Sequence, residues 1–292
     1  MSPPAFPRLS QFNQEGLFTY ASHFCLLLGI IVIAFPVWVI LVASTHPPEA
    51  LATSPIPLWF GSHGFANYHT LLTVGITDIG GAPLWLMLGN SLIMALGITI
   101  GKISVSLLAA FALVYFRFPG RWLFFWLILM TLMLPVEVRI LPTFEVIARL
   151  DLLNSYIGLT LPLIASATAT FLFRQFFMTV PTELVEAARM DGAGAMGFFK
   201  DILLPLSRTN IAALSIILFI YGWNQYLWPL IITTDEGYTT IVMGIQRMVN
   251  SGEALPLWHL IMGMAVLAML PPVLVVLAMQ RLFVRGLIEV EK

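Results

Sequence analysis

Residues 17–43 read LFTYASHFCLLLGIIVIAFPVWVILVA, and none of these side chains carries a full charge. A helix that crosses a bilayer needs roughly 20 consecutive, mostly apolar residues, because the hydrocarbon core is about 30 Å thick. This stretch meets that requirement and further apolar stretches follow it. We therefore expect an uncleaved membrane anchor rather than a signal peptide.

Five more segments of sufficient length are almost free of Asp, Glu, Lys and Arg. Glu137 and Arg139 interrupt the end of one of them, and Lys102 lies within another. The segment from Ala50 to Thr77 also lacks full charges, but its prolines and glycines indicate a loop outside the membrane. The predicted spans are 17–43, 83–115, 121–141, 155–178, 207–232 and 257–281.

The composition of the whole chain also favours a protein embedded in a lipid bilayer. Of its 292 residues, 59% are hydrophobic and 10% are charged, with a mean hydropathy of +0.92. A soluble domain has about 25% charged residues, and this chain has too few polar side chains to cover a globule in water. We predict an all-α, polytopic membrane protein with six transmembrane helices, formed by residues 17–292 after a cytoplasmic tail at 1–16.

The basic residues indicate how these spans are oriented. Cytoplasmic loops are enriched in Lys and Arg, and in this topology the face that holds both termini carries ten of them, against three on the other face. We therefore expect both termini in the cytoplasm. The ten are Arg8, Arg117, Arg121, Arg174, Arg189, Lys200, Arg208, Arg281, Arg285 and Lys292.

Several classes of function are excluded by composition and motif. The net charge of −1 gives no basic field for nucleic acid, and Cys25, the only cysteine, excludes a disulfide or zinc framework. The G-x-G-x-x-G at 192–197 follows no strand, so it is not a dinucleotide site. Residues 97–102 are too short for a P-loop, and Gly97 and Gly101 instead suggest close helix packing. We expect no cofactor, no metal and no catalysis by this chain.

A loop between the fourth and fifth spans, residues 180–205, reads VPTELVEAARMDGAGAMGFFKDILLP. Pro181 suits the first turn of a helix and Gly192 its end. Leu184, Ala187 and Ala188 fall on one face of that short helix. The pattern alone fits two roles, docking on a partner protein or lying among lipid headgroups.

The spacing within this loop resembles the EAA loop of ABC importer permeases. Glu186, Ala187 and Ala188 are followed after three residues by Gly192, and after nine more by Ile202-x-Leu204-Pro205. The resemblance implies a cytoplasmic coupling helix seated in a cleft of a separate ATPase. It implies a basic partner group at Glu186, close packing at the small residues and a helix cap at Asp191. The implied docking residues are Glu186, Ala187, Ala188, Asp191, Gly192, Ile202, Leu204 and Pro205.

Other segments resemble the carbohydrate-uptake permeases of this family, and among them the second permease subunit of sn-glycerol-3-phosphate importers. The first resemblance rests on Asn90-Ser91 and residues 223–230, and the second on residues 134–139, 165–178 and 221–229. The similarity extends from about Tyr20 to Lys292. It implies a bacterial inner-membrane location and uptake of sn-glycerol-3-phosphate or glycerophosphodiesters. The implied partners are a second homologous permease, two copies of a cytoplasmic ATPase that binds ATP and Mg, and an extracytoplasmic solute-binding protein.

Polar and aromatic side chains within the spans are candidates for the translocation path, because polar groups in hydrocarbon are costly. The alternative role is hydrogen bonding between helices, and Asn90 and Ser91 fit both. Lys102 fits snorkelling to the inner interface. The candidates are Asn90, Ser91, Arg139, Trp223, Asn224, Gln225, Tyr226 and Trp228.

Two alternative functions stay open at this stage. One is the same importer role with a neutral sugar or oligosaccharide as substrate. The other is a membrane enzyme or an ion-gradient carrier. An enzyme would need clustered catalytic groups at a membrane face, and a proton-driven carrier would need carboxylates in its spans, where Glu137 stands almost alone.

Overall fold

The computed structural model describes the backbone of residues 9–52, 55–73, 82–131, 133, 136–250 and 257–289. Side chains are described in the same ranges except at 9–18, 136–137 and 281–289. Within this part of the chain every regular element is helical, so the predicted all-α class is confirmed.

The helices differ widely in length. Short helical turns at Leu161–Leu163, Phe198–Leu203 and Glu236–Tyr238 connect some of them. The α-helices are α1 (Leu9–Ala43), α2 (Pro48–Leu51), α3 (Gly64–Thr73), α4 (Leu84–Tyr115), α5 (Arg121–Met130), α6 (Val136–Arg149), α7 (Tyr156–Thr160), α8 (Ala167–Thr179), α9 (Thr182–Met190), α10 (Ala195–Gly197), α11 (Leu204–Leu206), α12 (Arg208–Trp223), α13 (Leu227–Ile232), α14 (Ile241–Val249) and α15 (Trp258–Glu289).

Three helices of the described part are long and apolar enough to span a bilayer unaided: Thr19–Ala43, Leu84–Tyr115 and Trp258–Gln280. They correspond to the first, second and sixth predicted spans. Two helix pairs are bent at a short break: Tyr156–Leu163 meets Ala167–Thr179 at 51°, and Ala195–Leu206 meets Arg208–Trp223 at 72°. The number would rise to five only if each pair were counted as one span. The count of six spans stays a prediction.

The third and fifth predicted spans, like the bent fourth one, are not single helices. Residues 121–141 divide into α5, only 10 residues long, and the start of α6. An uninterrupted helix here would carry Pro135 in its interior, which costs about 3 kcal/mol. Residues 207–232 divide into α12 and α13, with a break at 224–226.

Two predicted boundaries also differ from the structure. The first helix begins at Leu9, eight residues before the predicted start. It therefore includes residues 9–16 of the predicted tail, with the acidic residue Glu15 among them. The predicted outside loop contains α3, because Gly64 is followed by ten residues without another glycine or a proline.

The chain divides into two compact units, residues 1–69 with 257–266 and residues 70–256 with 267–292. In the first unit, hydrogen bonds attach α3 to the residues that directly follow α1. The amide of Asn67 donates to the carbonyl oxygens of Ser44 and His46, both over 2.9 Å. The apolar side chains of α1 from Phe24 to Val37 are mostly exposed, as suits a surface that faces lipid or another subunit.

In the second unit, α4 is central and packs against α8 and α12. A β-carbon at Gly222 would lie 2.9 Å from the Cα of Ala95, and one at Gly97 would lie 2.8 Å from Cγ2 of Thr160. A β-carbon at Gly101 would overlap the side chain of Ile164. The predicted close helix packing at Gly97 and Gly101 is therefore confirmed.

Candidate functional site

The predicted amphipathic helix of the 180–205 loop is α9, which begins one residue after Pro181. Its first turn contains Glu183 and its last turn Arg189. An acidic side chain at the positive end of a helix and a basic one at the negative end both stabilise it. The predicted and observed starts of this helix therefore agree to within one residue.

Gly192 ends α9 in a Schellman motif. Its φ of +78° lies in the left-handed region that glycine adopts without strain. The N–H of Gly192 donates to the carbonyl oxygen of Arg189 over 3.1 Å, and the N–H of Ala193 donates to that of Ala188 over 2.9 Å. These two bonds define the motif. Asp191 is the last residue before the turn and its side chain is exposed.

One side of α9 is buried against this chain and the other is exposed. Ala188 is 4% exposed and Val185 is half-buried, so these two residues attach the helix to the rest of the chain. Leu184, Glu186 and Ala187 are exposed. Leu184, Ala187 and Ala188 share one side of α9 by their spacing, but Ala188 is the only one of the three that is buried against this chain.

Aromatic side chains hold the loop against the end of α4 and α8. The ring of Phe199 lies 5.0 Å from that of Phe111, and the ring of Phe198 lies 5.2 Å from that of Tyr115. The hydroxyl of Tyr115 donates to the carbonyl oxygen of Phe177 over 3.2 Å. Such pairs add about 0.5–1.5 kcal/mol each beyond burial, so α9 is attached to the transmembrane helices by a packed cluster.

The second half of the loop leads into α12 through a sharp bend. Ile202 and Leu204 are half-buried against the aromatic cluster, and Pro205 is exposed within α11. At the bend, the hydroxyl of Ser207 donates to the carbonyl oxygen of Leu203 over 2.6 Å. The chain from Ala195 to Leu206 is thus helical throughout.

Asn90 and Ser91 hold the segment that follows α13. The amide of Asn90 donates to the carbonyl oxygens of Gly237 and Thr239 over 2.8 and 2.9 Å, and accepts from the hydroxyl of Tyr156 over 2.7 Å. The hydroxyl of Ser91 accepts from the N–H of Ile241 over 2.8 Å. These contacts favour the packing role, and a role in the path stays a prediction.

The break between α12 and α13 exposes some of the remaining candidates. Trp223 and Trp228 are each 3% exposed and donate to the carbonyl oxygens of Ala268 and Gly158, both over 3.1 Å. Asn224 is exposed, and its side chain makes no hydrogen bond to the described residues. Gln225 and Tyr226 are half-buried, and the amide of Gln225 donates to the carbonyl oxygen of Tyr221 over 3.0 Å. The two tryptophans therefore pack, whereas Asn224 presents a free amide at the break.

Two cationic side chains lie near this region. Arg139, near the start of α6, is exposed. Lys102 is 7% exposed, and its Nζ lies 3.7 Å from the centroid of the Tyr221 ring. The lysine thus points at α12 rather than along α4 to the inner interface, as snorkelling would require.

Sequence reasoning missed the residues that position these groups. Phe198, Phe199 and Tyr115 anchor the loop, and Tyr221 receives Lys102. The adjacent phenylalanines beside a surface helix were a usable signal. The Lys102–Tyr221 pair joins residues 119 positions apart in the sequence, and no periodicity reports such a contact.

The chain is similar to known membrane proteins. Residues 102–289 match the family described as "Binding-protein-dependent transport system inner membrane component". The chain is 59% identical over 280 residues to the sn-glycerol-3-phosphate transport system permease protein UgpE of Salmonella typhi, covering 96% of this chain and 99% of that one. It is 58% identical over 274 residues to the protein of the same name from Escherichia coli (strain K12), with coverages of 94% and 97%.

A solved structure has the same fold. It is the crystal structure of a bacterial ABC transporter involved in the import of the acidic polysaccharide alginate, to which the chain is similar with a TM-score of 0.79. The match covers 96% of this chain and 99% of that chain at 19% sequence identity. At this identity the likeness shows the fold alone.

Proposed function

Because the chain belongs to the family of binding-protein-dependent transport system inner membrane components, we propose that it is a permease subunit of an sn-glycerol-3-phosphate importer. Family membership makes it a helical, multi-pass, non-catalytic subunit of the inner membrane. The substrate, with glycerophosphodiesters as further candidates, is supported by the names of relatives that are 58–59% identical over nearly the whole chain.

The other subunits of the proposed importer are separate chains. A second homologous permease forms the other half of the translocation path, and a solute-binding protein delivers the substrate from outside. Two copies of a cytoplasmic ATPase bind ATP and Mg. Both termini of this chain lie in the cytoplasm, on the same side as α9, in agreement with the distribution of basic residues.

The exposed face of α9 is the observation that carries the proposed coupling role. Glu186 and Ala187 point away from the chain, and no described atom lies within 4 Å of a β-carbon built at Gly192. A partner surface thus reaches the small residues closely, while Glu186 meets a basic group. Asp191 presents a second carboxylate at the same end of the helix. Ile202, Leu204 and Pro205 support the docking site from behind.

Attachment of α9 by a packed cluster suits a mechanical role. When the ATPase subunits close on ATP, they draw the coupling helices together, and a rigidly attached helix transmits that movement to α4, α8 and α12. Rigid-body movement of packed helices between two arrangements is a known mode of alternating access. ATP hydrolysis resets the arrangement. This chain supplies the coupling helix and half of the translocation path, and the ATPase supplies the free energy.

The substrate path runs along the break between α12 and α13. Broken helices are tolerated in membranes where they line a cavity, and Asn224 offers an amide there. In this proposal, Gln225, Tyr226 and Arg139 also line the path. The path is supported by the packed side chains of Asn90, Ser91, Trp223 and Trp228.

Reconstitution tests the function. The complete complex, with its second permease, ATPase and binding protein, is placed in proteoliposomes and supplied with labelled sn-glycerol-3-phosphate or maltose. We expect ATP-dependent uptake of the phosphate ester alone. Uptake of maltose instead would show that the complex is a neutral-sugar importer. Uptake by the two permeases without the ATPase would indicate a carrier.

A further inference from the structure

The side chain of Lys102 is unusual for a membrane protein because it is cationic and almost fully buried. Only 7% of it is exposed, and its Nζ lies 3.7 Å from the centroid of the Tyr221 ring. A lysine over an aromatic ring is attracted to the negative face of the ring. This contact fixes the ammonium between α4 and α12.

The positions of the two residues along their helices are known. Lys102 is 18 residues from the first residue of α4 and 13 from the last, or about 27 and 20 Å along a helix. Tyr221 is 13 residues from the start of α12, again about 20 Å. Lys102 therefore lies in the middle part of α4, and Tyr221 lies two residues before the end of α12.

Arg139 lies close to the same place. Its neighbour Ile140 packs on the apolar cluster that contains Ile98 and Tyr221. Ile98 is one helical turn before Lys102, so the two residues share a face of α4. Arg139 interacts electrostatically with both Lys102 and Tyr221, and its side chain is exposed at the surface of the chain.

The two cations have no carboxylate partner among the described side chains, which do not include Glu137. Among the described side chains, the one ion pair joins Arg149 to Glu145. Charged groups within a membrane are costly and mark pathways for ions or substrates. Two neighbouring cations also repel each other, and an anion held by both removes that repulsion. Phosphate accepts charge-assisted hydrogen bonds from arginine and lysine.

We propose that Lys102 and Arg139, with Tyr221 as the support of Lys102, form an anion site that holds the phosphate of the substrate. The inference rests on the proposed function and names the group recognised within the path. The exposed amide of Asn224, three residues after Tyr221, is placed to hydrogen-bond a hydroxyl of the attached polyol. Selection of phosphate esters over neutral polyols thus occurs in the permease as well as in the binding protein.

Variants of the reconstituted complex test this site. Lys102→Met and Arg139→Gln keep most of the side-chain volume and remove the charge. We expect each to lower kcat/KM for sn-glycerol-3-phosphate uptake at least tenfold in complexes that assemble to the same level as wild type. Arg139→Lys restores the charge, and we expect uptake within threefold of wild type.

Arg149→Gln is the matched control, because Arg149 lies on α6 with Arg139, its side chain is 83% exposed and it is paired with Glu145. It should not change uptake. If Arg139→Gln transports like wild type, or if Arg139→Lys is as impaired as Arg139→Gln, the anion site is overturned even where Lys102→Met fails to assemble. A wild-type complex that takes up only neutral sugar would overturn the proposed function and the site together. Wild-type uptake of the phosphate ester with unaffected variants would overturn the site alone.

Discussion

The N–H of Ala193 donates to the carbonyl oxygen of Ala188 over 2.9 Å, and this bond closes α9 at the point where Gly192 turns the chain away. Both partners of the bond lie on the side of the helix that packs against the aromatic cluster. The opposite side, with Glu186 and Ala187, is exposed. One local motif therefore sets the length of the helix and fixes which face a partner meets.

Gly192 gives the first prediction. Asn and Asp tolerate the left-handed conformation better than other residues, and nothing described lies within 4 Å of the added β-carbon. Gly192→Asn and Gly192→Asp should therefore insert and fold, yet both should reduce co-purification of the ATPase at least tenfold, because each fills the space needed by the partner. Normal ATPase recovery with either variant would contradict docking at this residue.

The aromatic anchor gives the second prediction. Phe198 is 5% exposed and contacts Tyr115, so Phe198→Ala should destabilise the protein by about 3–5 kcal/mol, the usual cost for a buried phenylalanine. Unfolding in mixed detergent micelles measures this. Met196→Ala, two positions away and exposed, should change stability by less than about 0.5 kcal/mol. Equal effects of the two substitutions would mean that the loop is not anchored by its aromatic residues.

The fold class, the loop helix and its glycine end were all predictable from sequence, because apolar length and cap chemistry are local properties. The break in the third predicted span was less accessible, since its apolar content alone satisfied the length of a bilayer. The buried side of α9 could not be predicted, for a different reason. Val185 and Ala188 become buried through the aromatic rings of Phe198 and Phe111, and such tertiary contacts leave no period in the sequence.

Asn90 and Asn224 separate packing from transport and give the third prediction. Asn90→Leu leaves the carbonyl oxygens of Gly237 and Thr239 and the hydroxyl of Tyr156 without their partner, so it should destabilise the protein by about 2–3 kcal/mol. Asn224→Leu removes an exposed amide and should leave stability within about 0.5 kcal/mol of wild type while lowering uptake. Paired unfolding and uptake assays measure both. The assignment of Asn224 to the path is wrong if uptake by its variant is normal.

The contact between α4 and α12 gives the fourth prediction. A β-carbon at Gly222 would lie 2.9 Å from the Cα of Ala95, a backbone atom that cannot move aside alone. Gly222→Ala should therefore cost about 1–3 kcal/mol through overpacking. Gly89→Ala in α4 is the matched control, because no described atom lies within 4 Å of its β-carbon, and it should be neutral or stabilising. A neutral Gly222→Ala would show that the two helices are less closely packed than described.

The central claim is that the exposed face of α9 is held by an ATPase subunit. Because Cys25 is the only cysteine, a Cys25→Ser background allows a photoreactive thiol reagent to be placed singly at Glu186, Ala187, Val185 or Ala188 by cysteine substitution. In the assembled complex, we predict cross-links from positions 186 and 187 to the ATPase, and none from positions 185 and 188, which face this chain. Cross-links from 186 and 187 to lipid alone, in a complex that still hydrolyses ATP and transports, would contradict the account.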